Sequence, residues 1–149
     1  MILDKLCEFC DATALNTGGA DNYAIGSAVD SVVARDLGNG QPVYLVLTVD
    51  TAVDSSGDGV TLEFQLRSDA TSSVDPDSGT LHFSSGAIAQ ANLTQGASFV
   101  WALPVEGLAY ERYLGITQVT AVEAVTAGAV SAFLTLDPYG WKAYPEGSN

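Results

Sequence analysis

The sequence predicts an all-β domain built as a two-sheet sandwich. Three observations carry that prediction. Short runs rich in β-branched and aromatic residues alternate apolar and polar positions, the period of a half-buried strand. They are separated by clusters of Gly, Pro, Asp and Asn, residues that turn the chain. No long stretch repeats apolar residues at helical spacing, and the 149 residues, 47% of them hydrophobic, suffice for one core.

The densest apolar run, Pro42 to Val49, reads as a central strand buried on both faces. Gly38-Asn39-Gly40 turns the chain into it, and Pro42 sits where a missing N–H does least harm. Before it, residues 1–15 read as a separate arm with Ile2, Leu3, Leu6 and Phe9 as an apolar stripe. A segment this short cannot bury those groups alone, so the four are candidate contacts with a partner. Residues 16–149 read as one sandwich domain, beginning with an irregular edge strand over Tyr23–Ala34.

Asp50–Gly59 reads as an acidic loop. Val60–Ser68 alternates, with Leu62, Phe64 and Leu66 on the core side and Thr61, Glu63, Gln65 and Arg67 on a wet side. Asp75-Pro76-Asp77-Ser78-Gly79 is a strong turn. Thr80–Ser84, Ala87–Leu93 and Ser98–Pro104 follow as short strands. Tyr113–Thr120 and Ala129–Leu136 read as a hairpin or neighbouring pair. The tail carries Tyr139, Trp141 and Tyr144, and Trp141 and Tyr144 are further candidate contacts. About eight strands at this spacing suit a jelly roll.

Eighteen acidic residues against five basic ones leave a net charge of −13. Nucleic acid needs a basic footprint and anionic membranes attract one, so both are excluded as partners. Neither a basic leader nor an apolar span long enough to cross a bilayer is visible.

Candidate chemistry is sparse. Cys7 and Cys10 have the spacing of a redox pair or half a zinc site. A single histidine, His82, leaves zinc ligands short and any Ser-His-Asp triad dependent on one residue. Free thiols and a structural histidine are the plainer readings. Asp54 and Asp58 open a calcium-loop spacing, but Gln65 stands where a bidentate Glu should close it, so they remain weak cation candidates beside a solvated loop. The sequence calls for no cofactor and no catalytic set.

Two strings carry a resemblance. Arg35-Asp36-Leu37-Gly38-Asn39-Gly40 with Pro42 and Tyr44, and Glu111-Arg112-Tyr113-Leu114-Gly115 with Gly128 and Ala132-Phe133-Leu134, resemble the cement (decoration) proteins of short-tailed bacteriophage capsids, as does Met1-Ile2-Leu3-Asp4. Gln118 stands where that family often has an aromatic, and Asp69–Gly79 looks like an insertion. The resemblance implies a jelly roll without enzymatic activity, assembled in the host cytoplasm onto the outside of the virion. Its partners would be the major capsid protein and other copies of itself, as a homodimer or homotrimer. The alternative is a carbohydrate- or receptor-binding module, suggested by the tail aromatics and acidic loops.

Overall fold

The computed structural model describes residues 5–32, 37, 41–57, 59–104 and 108–138. Nine strands are described: β1 Glu8–Ala14, β2 Asp21–Asp30, β3 Tyr44–Ser55, β4 Thr61–Asp69, β5 Thr80–Ser84, β6 Ile88–Ala89, β7 Ser98–Ala102, β8 Tyr113–Ala121 and β9 Val125–Thr135. One sheet has the order β1-β9-β3-β7. The other has the order β2-β8-β4-β5, with short β6 also on β4. All pairs are antiparallel, and four are nested: β1 with β9, β2 with β8, β3 with β7 and β4 with β5. A long antiparallel ribbon rolled into two layers has this nesting, so the domain is a jelly roll.

The core lies between the sheets. Leu45, Leu47 and Val49 of β3 face Leu62, Phe64 and Leu66 of β4, all at most 1% exposed. Leu114 and Ile116 of β8 and Val130 and Ala132 of β9 complete the layer. β3 is buried on its outer side as well, where Val46 pairs with Phe133. On one flank the edges of β1 and β2 meet at Gly26, which has φ +71°. A Cβ there would lie 2.2 Å from the Phe9 carbonyl oxygen, so only glycine lets the two layers close. On the opposite flank Phe83 of β5 and Phe99 and Trp101 of β7 close the seam, their rings 5.4–5.5 Å apart.

Four expectations are corrected. Residues 8–14 form no separate arm: they are an edge strand of the sandwich, and Phe9, 2% exposed, belongs to the core. The interior is completed by the chain's own N-terminal segment, because β9 has a free edge for it and the Gly26 notch admits its backbone. The expected loop from Asp50 is strand as far as Ser55, since the β3–β9 ladder continues through register shifts to the Ser55–Val125 pair.

The expected wet side of β4 is dry at two of its four positions: Gln65 and Arg67 are 9% exposed, while Thr61 and Glu63 are half-buried. The connection 70–79 folds over the outer face of the sheet, with Val74 buried against Gly115. Finally, β8 and β9 are no hairpin. Each is inserted between two other strands, in different sheets. Val122, at φ +75°, turns the chain from one layer to the other.

Phe9 and Leu6 give the sharpest test of the arm correction. Phe9→Ala should destabilise by about 3–5 kcal/mol through the cavity it leaves. Leu6→Ala, at a side chain 79% exposed, should stay within about 0.5 kcal/mol. Denaturant unfolding of the two variants measures both.

Candidate functional site

A 3-10 turn over Lys5–Cys7 leads into β1 and carries Leu6 outward. Lys5 pairs with Glu8 and lies 3.9 Å from Asp11. Beside the turn, β1 and β2 flank a shallow cleft of about 460 Å³, lined by Lys5, Leu6, Glu8, Asp11, Val29 and Asp30. Its far rim is anchored by Arg112, whose Nε and Nη2 each donate to Asp30 at 2.8 Å. The guanidinium also lies over the Tyr113 ring, 4.9 Å from its centre. Ser31 fastens the same corner by donating its N–H and Oγ–H to the Arg112 carbonyl.

Of the candidate contacts, Leu6 is on the surface and Phe9 is inside. Ile2, Leu3, Trp141 and Tyr144 lie outside the described residues, as does Asp58. Asp54 is exposed at the end of β3, where its Oδ1 accepts the Ser55 N–H at 2.9 Å. No group of three or more metal-ligating side chains is assembled among the described residues. Glu123 organises this corner: its Oε2 accepts the Gly59 N–H at 3.3 Å and the Ser55 hydroxyl at 3.2 Å.

Cys7 sits in the turn and Cys10 in the strand, and neither is in a disulfide. Burial pushes the Cys10 thiol up to about 12, which leaves it protonated and unreactive at neutral pH. His82 does meet a serine: its Nε2 lies 2.7 Å from Ser68 Oγ, which also accepts the Glu111 N–H at 3.1 Å. Ser68 is 0% exposed, however, and the imidazole is stacked on Tyr110 at 3.9 Å, so this serine cannot meet a substrate. The pair ties β4 and β5 to the connection before β8.

Sequence reasoning missed the polar side chains that hold the other connections. Arg67 donates through Nη1 to the carbonyls of Asp77 and Gly79, at 3.1 and 2.7 Å, and through Nε and Nη2 to Gln65 Oε1. Gln118, fully buried, receives the Asn16 N–H on Oε1 at 2.9 Å and returns a bond from Nε2 to the Asn16 carbonyl at 3.0 Å. The signal for Gln118 was its place: it shares the core parity of Leu114 and Ile116.

These observations define a jelly roll on which the exposed large apolar side chains Leu6, Val32, Leu108, Val122 and Leu136 stand outside the strands, and Leu81 and Val100 stand on the edge strands β5 and β7. The chain belongs to the Bbp16 family, whose family model matches residues 10–134. No curated protein matches it. The matched span begins within β1 and ends one residue before β9 does. Ile2, Leu3, Leu6, Phe9, Trp141 and Tyr144 all fall outside it.

Two ionisable groups make the fold acid-sensitive in separable ranges. Burial holds His82 below the ordinary imidazole value, so the unfolded chain takes up this proton more readily than the folded one. Stability from this group is complete above about pH 6.5 and declines as pH falls below it. The Arg112 fork, helped by the Val32 N–H, lowers Asp30 to about 2. Its contribution is present above the ordinary carboxylate value and is lost as pH falls toward 2. In thermal melts across pH, His82→Asn should remove the first decline and Arg112→Met should lessen the second, to which Asp69 and Asp75 also contribute.

Proposed function

We propose that the protein is a capsid decoration, or cement, protein. It binds the outside of a short-tailed bacteriophage head and bridges neighbouring major capsid protein subunits. The observation that carries this reading is the second motif set, which lies inside the Bbp16 match and at positions this jelly roll depends on. Arg112 clamps Asp30, and Leu114 and Ala132 fill the core. A Cβ on Gly115 would lie 3.0 Å from Val74, and one on Gly128 would lie 2.8 Å from Leu15. The resemblance therefore rests on residues that build this chain's scaffold.

The physical role follows by mass action. A protein that binds the assembled shell but not its dissociated subunits stabilises the shell by an amount set by its concentration over its dissociation constant. Attachment falls to the segments outside the scaffold: Ile2, Leu3 and Leu6 at one end, Trp141 and Tyr144 at the other. Apolar side chains buried in such a contact contribute about 1.5–3 kcal/mol each before ordering costs. With Phe9 in the core, the N-terminal contribution comes from residues before it.

Purified protein added to heads that lack it should bind in a fixed ratio and raise the temperature at which they open. Removing residues 1–6 should weaken binding while the truncated chain still melts cooperatively. Removing residues 1–9 should also unfold it. Failure of the full chain to bind any such shell would refute the proposal. Undiminished binding after removal of 1–6 would overturn the N-terminal contact alone.

A further inference from the structure

His82 is half-buried on β5, yet both side chains it touches are interior: Ser68 of β4 and Tyr110 of the connection before β8. The hydrogens at this junction can be counted. Among the described residues Ser68 Oγ has two partners, the Glu111 N–H at 3.1 Å and His82 Nε2 at 2.7 Å. An amide N–H only donates, so Oγ accepts from it. Ser68 is 0% exposed, so its hydroxyl hydrogen goes to His82 Nε2 and not to bulk water. That bond fixes the neutral imidazole with its hydrogen on Nδ1 and its lone pair on Nε2.

A proton taken up from solvent reverses that bond. Imidazolium carries hydrogen on both ring nitrogens, so Nε2 becomes a donor. Ser68 Oγ then faces two donors, and its own hydrogen is left without an acceptor in the interior. The closed junction thus disfavours the charged ring twice, through the reversed bond and through burial. The charged and titratable groups on the neighbouring elements do not offset this. On β4, Glu63 accepts from Gln65 and Ser84, Arg67 donates to Gln65 and to the Asp77 and Gly79 carbonyls, and Asp69 accepts the Thr71 N–H. On the connection, Tyr110 is stacked on the ring and Arg112 is paired with Asp30, over Tyr113 at the start of β8. Glu111 meets Ser68 through its backbone, and Glu106 lies outside the described residues.

We propose that His82 is a proton-operated latch, whose protonation frees residues 108–112 from the second sheet while the sandwich stays folded. The segment is built for local release. Its C-terminal end is pinned independently, since Arg112 clamps Asp30 and its carbonyl accepts the Ser31 N–H and hydroxyl. At its other end Leu108 is already 68% exposed. Between them the His82 junction supplies two ties, the Tyr110 stack and the Ser68–Glu111 bond. Release uncovers Tyr110, 8% exposed in the closed form, close in the chain to Leu108. Mild acid thereby presents an aromatic side chain at this end of the sandwich that neutral pH hides. The inference is independent of the capsid reading.

The experiment follows the full chain by NMR. At about pH 8, long-range nitrogen–proton couplings should report the Nδ1–H tautomer of His82. Amide exchange, divided by the intrinsic rate at each pH, should show protection of the Glu111 N–H falling at least about fivefold from about pH 7 to about pH 5. That exchange should be insensitive to dilute urea, the mark of a local opening. The Val49 N–H, which donates to the Ala97 carbonyl, should exchange more slowly and respond to urea. His82→Gln offers Ser68 an acceptor that takes no proton, so Glu111 should stay protected at both pH values. His82→Phe keeps a ring against Tyr110 but removes the acceptor, so Glu111 should be poorly protected at both. The Nε2–H tautomer in the wild-type chain would overturn the proposal. So would Glu111 protection that is flat across this range, that falls only with the urea dependence of Val49, or that keeps its pH response in His82→Gln.

Discussion

Buried polar groups must be hydrogen-bonded, and in this protein that requirement decides where the connections go. Four buried polar side chains each take a partner from a different connection. Gln118 holds Asn16 between β1 and β2. Arg67 holds the carbonyls of Asp77 and Gly79 between β4 and β5. Ser68 holds Glu111 before β8, and Ser55 holds Gln90 and Glu123 where the chain changes layers. An apolar core alone would stack the two sheets with little preference for the loops. These bonds give each loop one position, because leaving any of the four unpaired in the interior costs about 1–3 kcal/mol.

The second sheet is thereby the more elaborate layer. Its inner face carries Leu62, Phe64 and Leu66, and its outer face is roofed by the 70–79 connection. Asp69 and Asp75 shape that roof by accepting backbone N–H groups within it, which lowers both carboxyls below their ordinary range. The first sheet buries Val46 and Phe133 on its outer side and ends in the uncharged β7.

The family match covers the rolled strands, while the candidate partner contacts flank it. Under the proposal, a sandwich attached through the segments that flank the match would hold two neighbouring surfaces without changing its own packing. That division suits the proposed bridging role, which leaves stability to the strands and assigns recognition to the flanking segments.

Local chemistry in the sequence determined the strands. Alternation at Leu62, Phe64 and Leu66 and the apolar run of β3 are written residue by residue, because side-chain period is a property of the chain itself. The acidic surface and the scarcity of metal ligands were legible in the same way. Tertiary structure alone decided which layer each strand joins. β8 and β9 look like partners in sequence, yet they lie in different sheets, because each finds two better neighbours more distant in the chain. It also placed Phe9 inside, since only the folded Gly26 notch shows that a short N-terminal segment has a home. The polar face of β4 was unreadable for the same reason: Arg67 is a surface residue by type, and it becomes interior only once a loop ten residues further on folds back to accept its hydrogen bonds.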